Sequence, residues 1–227
     1  MALVVMTWFW GDKYSPHDVA KLAAGFKRHL RQPYRFVCAT DDDSLSIPGV
    51  ETTPIKDPGL TKQKGCFARL RLFDKVWQDD IGVEDRLANV DLDVVVTGEI
   101  DLLFNRPDPF VVLKGANASN PCPFNGSLFM LRRGAHPELW DDFTLEAASK
   151  IPFYEFPDDQ GWFWHKIPDA SGWNVGSPLG VYAFQKPGWP ADVGDRLPAG
   201  ARMVVFPGWR SPSKFKHLPW IKEHWRV

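Results

Sequence analysis

Cysteine is scarce in this chain. Cys38, Cys66 and Cys122 are three among 227 residues, too few and too scattered for a disulfide framework, and no C-x-x-C pair points to structural zinc. A reducing, cytoplasmic setting is the expectation. Long apolar runs are also missing, since nothing approaches the ~18–20 residues of a transmembrane helix. The apolar start, Ala2 to Trp10, lacks a basic leader and a small-residue cleavage site and stops at Gly11-Asp12, so it reads as a buried strand rather than a signal peptide. Nor does either charge dominate. With 27 Lys+Arg against 28 Asp+Glu, bulk charge cannot hold nucleic acid, which leaves room only for a local basic groove. Tyrosine is rare, at 4, whereas tryptophan reaches 11 and proline 20. So many large aromatics exclude a disordered chain. The 44% hydrophobic content suits one domain with a substantial core.

Strand, helix and strand follow one another within the first forty residues. Ala2 to Phe9 is apolar without alternation, as in a parallel strand covered on both faces. Ser15 as N-cap and Pro16 at the first helical position open a helix to Leu30, with Val19, Leu22, Ala23, Phe26 and Leu30 at helical spacing. Tyr34 to Thr40 is a second strand, ended by Asp41-Asp42-Asp43. The rhythm is that of an α/β domain. Ser44 to Lys64 reads mainly as loop, with a short strand near Val50. The spacing of Phe67, Leu70, Phe73 and Val76 predicts a helix. Leu87 to Val96 reads as one strand, Phe110–Leu113 and Gly126–Leu131 as two more, and Pro137 to Ser149 as a helix. Ile151 to Val227 is rich in Trp, Pro and Gly and lacks clear helices.

The most informative segment is Asn89-Val90-Asp91-Leu92-Asp93-Val94-Val95-Val96. On an extended strand Asp91 and Asp93 share a side while Leu92 turns inward. Two carboxylates in an apolar run are costly to bury unless compensated. A divalent cation such as Mg2+ or Mn2+ provides that compensation and completes its shell with waters and phosphates. A nucleoside diphosphate is the simplest ligand that needs such a site. The plainer alternative is an acidic pair that caps a helix or bridges to Arg69 or Arg71. The position inside an apolar strand, near the carboxyl-end crevice of an α/β sheet, favours the ligand site.

Val90 to Phe104 resembles the "LDLDVVVVGDIDDLF" signature of GT-A-fold glycosyltransferases, in particular the glycogenin-like and lipopolysaccharide-galactosyltransferase-like group and its small bacterial relatives. Trp10-Gly11-Asp12-Lys13-Tyr14 is similar to their "WGxKY", Cys38 to Asp42 to "CLTDD", and Phe124 to Leu131 to "FNSGVMLI". Asp158 to Trp162 resembles "GDQDW", and the motifs keep the family's order. The resemblance implies a single α/β GT-A (Rossmann-like) domain over residues 1–227. It has a mostly parallel central sheet, a nucleotide-binding half (1–104), an acceptor-side half (105–227) and an irregular C-terminal segment.

It also implies roles. Thr7, Trp8 and Tyr14 would pack around base and ribose, Asp41 would face the base, and Lys13 would lie near the phosphates. Asp91 would touch ribose and metal, Asp93 would bind the metal, and Arg69 would reach toward the sugar or its phosphate. Asn125, Asp159 and Gln160 match positions that hold donor sugar and acceptor, where a carboxylate or amide oxygen suits an oxocarbenium-like transition state; an N-cap at a helix start is the plainer role for the Asp158-Asp159 pair. The segment Val204 to Pro212 is similar to the closing segment "VVFHGxPKP", whose histidine is the third metal ligand. Here Pro207 stands in that place, so His217, another group or water must substitute. Arg210 and Lys214 remain to neutralise the diphosphate. The implied reaction is transfer of a sugar from a UDP-sugar, with Mn2+ or Mg2+, to a glycan, lipid-linked or DNA acceptor, with retention. Two rivals stand beside it. A DNA-base glycosyltransferase is motivated by the basic runs 62–75 and 202–226, and a non-catalytic sugar-nucleotide-binding domain by Pro207.

Overall fold

The computed structural model describes residues 2–116, 121–151, 157–176 and 178–227. Part of the C-terminal stretch read as irregular, at 152–156 and 177, thus lies outside the described residues. Strand β1 (Leu3–Phe9) is buried along its whole length, as its unalternating apolar sequence requires. Helix α1 (Pro16–His29) follows. The backbone N–H and hydroxyl of Ser15 both donate to Asp18 Oδ2 at 2.9 Å, which fixes the helix start, and Val19, Leu22 and Phe26 form its buried face. Strands β2 (Tyr34–Thr40) and β3 (Glu51–Pro54) complete the first unit. A single helical turn, α2 (Pro58–Thr61), leads onward.

Residues 67–76 are not one helix. Phe67–Phe73 is a 3-10 helix, and α3 (Lys75–Asp80) starts afresh after Asp74, whose side chain accepts from Val76 N. The apolar residues at 67, 70 and 73 recur every three positions, the 3-10 period rather than the α period. Val76, fourth in the series, is 68% exposed.

The segment 87–96 is likewise divided. Strand β4 (Arg86–Val90) and strand β5 (Val94–Val96) lie in different sheets, and Asp91-Leu92-Asp93 forms the turn between them. Val94 N donates to Asp91 O at 3.2 Å and Asp91 N to Ser127 O at 3.0 Å. The two carboxylates therefore share a turn, not one side of an extended strand. Helix α4 (Asp101–Phe104), strand β6 (Phe110–Lys114) and strand β7 (Phe124–Arg132) come next. The helix expected over 137–149 is two short ones, α5 (Glu138–Asp141) and α6 (Leu145–Ser149). Thr144 breaks the path by capping α6 with its hydroxyl at Ala147 N, 2.9 Å away.

The C-terminal part is more regular than its sequence predicts. It holds α7 (Asp159–Lys166), β8 (Ser171–Asn174), β9 (Val181–Ala183), β10 (Met203–Val205) and α8 (Pro219–His224). Among the described residues the strands form a seven-stranded sheet in the order β3-β2-β1-β4-β7-β6-β8 and a three-stranded sheet β5-β10-β9. In the larger sheet β7 alone runs antiparallel to its neighbours β4 and β6. The sheet is thus mostly parallel, and its carboxyl-end crevice lies where β4 meets the reversed β7.

Each face of the large sheet carries a core. One packs Phe26, Phe104 and Trp173 beneath α1. The other stacks Phe73, Phe110, Phe129 and Phe163 with ring centroids 5.1–6.1 Å apart. A third cluster, Phe184, Phe206, Trp220 and Ile221, holds the tail to the small sheet. Much of the tryptophan excess is therefore core, including Trp77, Trp173, Trp220 and Trp225. Because Phe129 is fully buried at the centre of four rings, Phe129→Ala should lower stability by about 3–5 kcal/mol in urea unfolding.

Candidate active site

The turn after β4 delivers Asp91 to a cavity of about 120 Å³, walled by Trp8 and Trp10 at the end of β1, Lys13 and Tyr14 of the following loop, and Cys66, Arg69 and Leu92, and it sets Asp93 against two of those wall residues, Tyr14 and Lys13. Arg69 is central. Its side chain is 7% exposed. Nη1 donates to Asp91 Oδ1 at 2.6 Å and to Gly126 O at 2.8 Å, Nη2 donates to Asp159 Oδ1 at 3.0 Å, and Nε lies 2.7 Å from Asp159 Oδ2. Burial opposes the charge on this guanidinium, but Asp159 and Asp91 more than offset it, so its pKa rises well above the ordinary value. Asp74 pairs instead with Arg71, at 3.2 Å.

Asp93 has different neighbours. Tyr14 Oη donates to its Oδ2 at 2.7 Å and Lys13 Nζ lies 3.8 Å away, while Oδ1 is buried with no partner among the described residues. Burial, and then the neighbouring Asp91, push its pKa up to about 7. Burial also drives Asp159 up to about 7 against the pull of Arg69, and burial raises the Cys66 thiol to about 11. Burial and then Asp93 raise the Tyr14 phenol, so it stays a donor.

Helix α7 positions the second half. Asp158 is its N-cap and accepts from Gly161 N at 2.8 Å, which leaves Asp159 at the first helical position facing Arg69. Gln160 is turned onto strand β7: its Oε1 accepts from Gly126 N at 3.2 Å, and its Nε2 donates to Asp158 Oδ2 at 2.8 Å. Gly126 is required here, because a Cβ would sit 2.7 Å from Arg69 Nη2 and 3.2 Å from Asp159 Oδ1.

Of the residues named from sequence, Trp8, Lys13, Tyr14, Arg69, Asp91, Asp93 and Asp159 are gathered here. Asn125 lies one residue from Gly126, and its Oδ1 accepts from Ser127 N at 3.0 Å. Thr7 is fully buried in β1, not at the cavity wall. Asp41 is exposed beyond β2 and does not line the cavity. Trp162, expected near the acceptor, is a core residue whose Nε1 donates to Leu139 O at 2.9 Å. Arg210 and Lys214 do not line the cavity either. Lys214 Nζ donates to Trp209 O at 2.7 Å, and the Arg210 guanidinium lies 5.2 Å from the Trp209 ring. His217 is exposed beside Phe215. Among the described residues no three His, Cys, Asp or Glu side chains gather as a metal site, so His217 does not join Asp91 and Asp93 as a third ligand.

Asn89 was not anticipated. Its Oδ1 accepts from Trp8 Nε1 at 2.9 Å and its Nδ2 donates to Gly126 O at 3.1 Å, tying one cavity wall to strand β7. An amide in a fully buried strand was the available signal.

The geometry and topology define a GT-A-type fold with its carboxylates at the sheet crevice. Comparison with solved structures agrees. An active-site mutant of LgtC aligns with a TM-score of 0.60 at 10% identity, over 99% of this chain and 97% of that one. The galactosyltransferase LgtC in complex with donor and acceptor sugar analogs aligns with a TM-score of 0.56 at 12% identity, again over 99% and 97%. The glycosyltransferase GlyE of Streptococcus pneumoniae TIGR4 aligns with a TM-score of 0.61 at 15% identity, over 93% of this chain and 56% of that one. No protein-family model matches the chain, and no curated protein does.

Two outcomes follow from the charge network. Arg69→Met leaves Asp91 and Asp159 without their buried partner and should cost about 3–5 kcal/mol in urea unfolding, whereas Arg69→Lys, which cannot span both, should fall between. The raised pKa of Asp93 means that the folded state keeps a proton which the unfolded chain releases from pH 3.8 upward. That stabilisation is complete below this value and is lost as pH rises through about 7. In EDTA, Asp93→Asn should therefore raise the melting temperature by a few degrees at about pH 8 and by less at about pH 5; equal gains would contradict the shift.

Proposed function

We propose that this protein is a glycosyltransferase that moves a sugar from a nucleotide donor, a UDP-sugar, to an acceptor hydroxyl. The observation that carries the proposal is the buried Arg69 bridge between Asp91 and Asp159 beside Asp93, whose Oδ1 has no partner, in a fold shared with solved glycosyltransferases. Trp8 and Trp10 offer flat walls for the nucleoside, and Lys13 offers a cation for phosphate. Asp159, held by Arg69, and Gln160, held by Gly126 and Asp158, are the carboxylate and amide that this reading assigns to the donor sugar and acceptor, where an oxocarbenium-like transition state would gain from their oxygens. Retention at the anomeric carbon, with the donor diphosphate accepting the acceptor's proton, is the course that the family resemblance implies.

The carboxylates fit a divalent cation. A buried carboxylate oxygen without a partner is the place for one, and Asp91 and Asp93 provide hard oxygen ligands suited to Mn2+ or Mg2+. When bound, such an ion neutralises charge on the leaving diphosphate. With Pro207 in place of a histidine, donor phosphates and water would be left to complete the shell.

The same proline motivates a second reading, a non-catalytic sugar-nucleotide-binding domain. Mass spectrometry of a UDP-sugar panel, with Mn2+ or with EDTA, separates the two. Release of UDP from one donor, lowered about 10²–10³-fold by Asp93→Ala, is the expected result. Binding of UDP without release on any donor would favour the second reading, and no UDP binding at all would sink both.

A further inference from the structure

We infer that the C-terminal tail and the outer face of α1 form a docking track for single-stranded nucleic acid that starts beside the donor cavity. The antiparallel register sets Val205 against Val94, so the chain leaving β10 through Phe206 and Pro207 passes the Asp91–Asp93 turn. Trp209 follows immediately. It is 67% exposed on a turn in which Gly208 has φ +75, and it is flanked by two cations, the Arg210 guanidinium at 5.2 Å and Lys214 Nζ at 4.9 Å from its ring. From there the positive charge continues along the molecule. Lys216 Nζ lies 5.7 Å and Lys21 Nζ 3.5 Å from the Trp225 ring. A cavity of about 360 Å³ is lined by these two lysines with Lys222, Ile221 and Trp225, and no carboxylate lines it. Arg28 ties α1 to the tail by donating to His224 O and Arg226 O at 2.7 and 3.0 Å.

Elsewhere in the chain basic side chains commonly face acids, as Arg35 does Glu51, Arg106 Asp108 and Lys166 Asp142. Among the described residues none of Lys21, Arg210, Lys214, Lys216, Lys222 and Arg226 is in an ion pair. In a chain of net charge −1, such segregation leaves a cationic stripe in which Asp18, acting on Lys21, and the exposed Glu223 only partly offset six basic side chains. Unpaired like charges packed together repel, and a polyanion relieves that repulsion. An exposed indole set between cations adds a stacking surface for an unpaired base, and that combination is how single strands are held without sequence preference. An anionic bilayer also attracts cations, but a membrane-binding face carries several exposed large apolar groups. Here Trp209 and Val227 are the large exposed ones in the tail. The stripe depends on charge and exposure alone, so it stands or falls separately from the donor reading.

Fluorescence anisotropy with a labelled single-stranded DNA of about 20 nucleotides tests the track, with a matched RNA alongside. Engagement of about four phosphates predicts affinity roughly 50-fold weaker at about 200 mM salt than at about 50 mM. Lys216→Glu with Lys222→Glu should weaken binding at least about tenfold and flatten the salt slope by about 1.4, while UDP binding and the melting temperature stay unchanged. The neutral pair Lys216→Gln with Lys222→Gln should fall between. Trp209→Ala should cost about 5- to 100-fold for single strands and less for a duplex of the same sequence. Absence of oligonucleotide binding at low salt in protein that still binds UDP overturns the proposal. So does binding that ignores both substitutions, and so does displacement of the oligonucleotide by phosphatidylglycerol vesicles that bind more tightly, which would assign the stripe to a membrane surface.

Discussion

A single buried guanidinium organises the centre of this molecule. Arg69 meets carboxylates from two distant segments and a backbone carbonyl from a third. It thereby locks the 3-10 helix, the turn after β4, the start of α7 and the head of β7 into one geometry. A buried charge is tolerated only with complete compensation, so each of those elements is constrained by the same side chain. The glycine at 126 belongs to that constraint, since a Cβ there would sit 2.7 Å from Arg69 Nη2. Its price is a site in which three acids share two nearby cations, Arg69 and Lys13, leaving Asp93 short of a partner.

That shortage links structure to chemistry. Where a structural ion-pair network would satisfy every oxygen, this one leaves Asp93 Oδ1 unmatched among the described residues, on a carboxylate whose other oxygen is held by the Tyr14 phenol of the cavity wall. Stability is sacrificed locally, in the way expected where a ligand completes the set. Asn89 extends the arrangement by coupling the Trp8 wall to the carbonyl that Arg69 uses, so the tryptophan wall and the head of β7 are joined through one amide.

Much of this was legible in the residues. β1, α1 and β2 could be read to within a residue or two because burial on both faces, a Ser-Pro helix start and an acidic strand end are local signals. The D-x-D pair announced the site, and Asp159 could be paired with it through the family motif. What could not be read was set by distant partners. The break at Asp91–Asp93 exists because β5 pairs with β10, more than a hundred residues later. The division of 137–149 depends on Thr144 acting as an N-cap, a role Thr favours over a helix interior but one that a single residue within an apolar-spaced stretch does not announce. Arg210 and Lys214 looked like diphosphate ligands because only their chain position was visible; their actual contact is Trp209. The aromatic tail looked irregular for the reason that its tryptophans pack on the small sheet rather than along helices of their own.

The turn between β4 and β5 also joins the two sheets. Val90 ends a strand of the seven-stranded sheet, and Val94 begins one paired with β10 of the tail. Asp91 therefore follows a strand of the large sheet, while Asp93 precedes a strand of the small one and is held by Tyr14. The spacing of the two carboxylates depends on how β10 is seated against β5. A change in the packing of Phe206 or Trp220 could retune ligand affinity while every residue that touches the ligand stays the same.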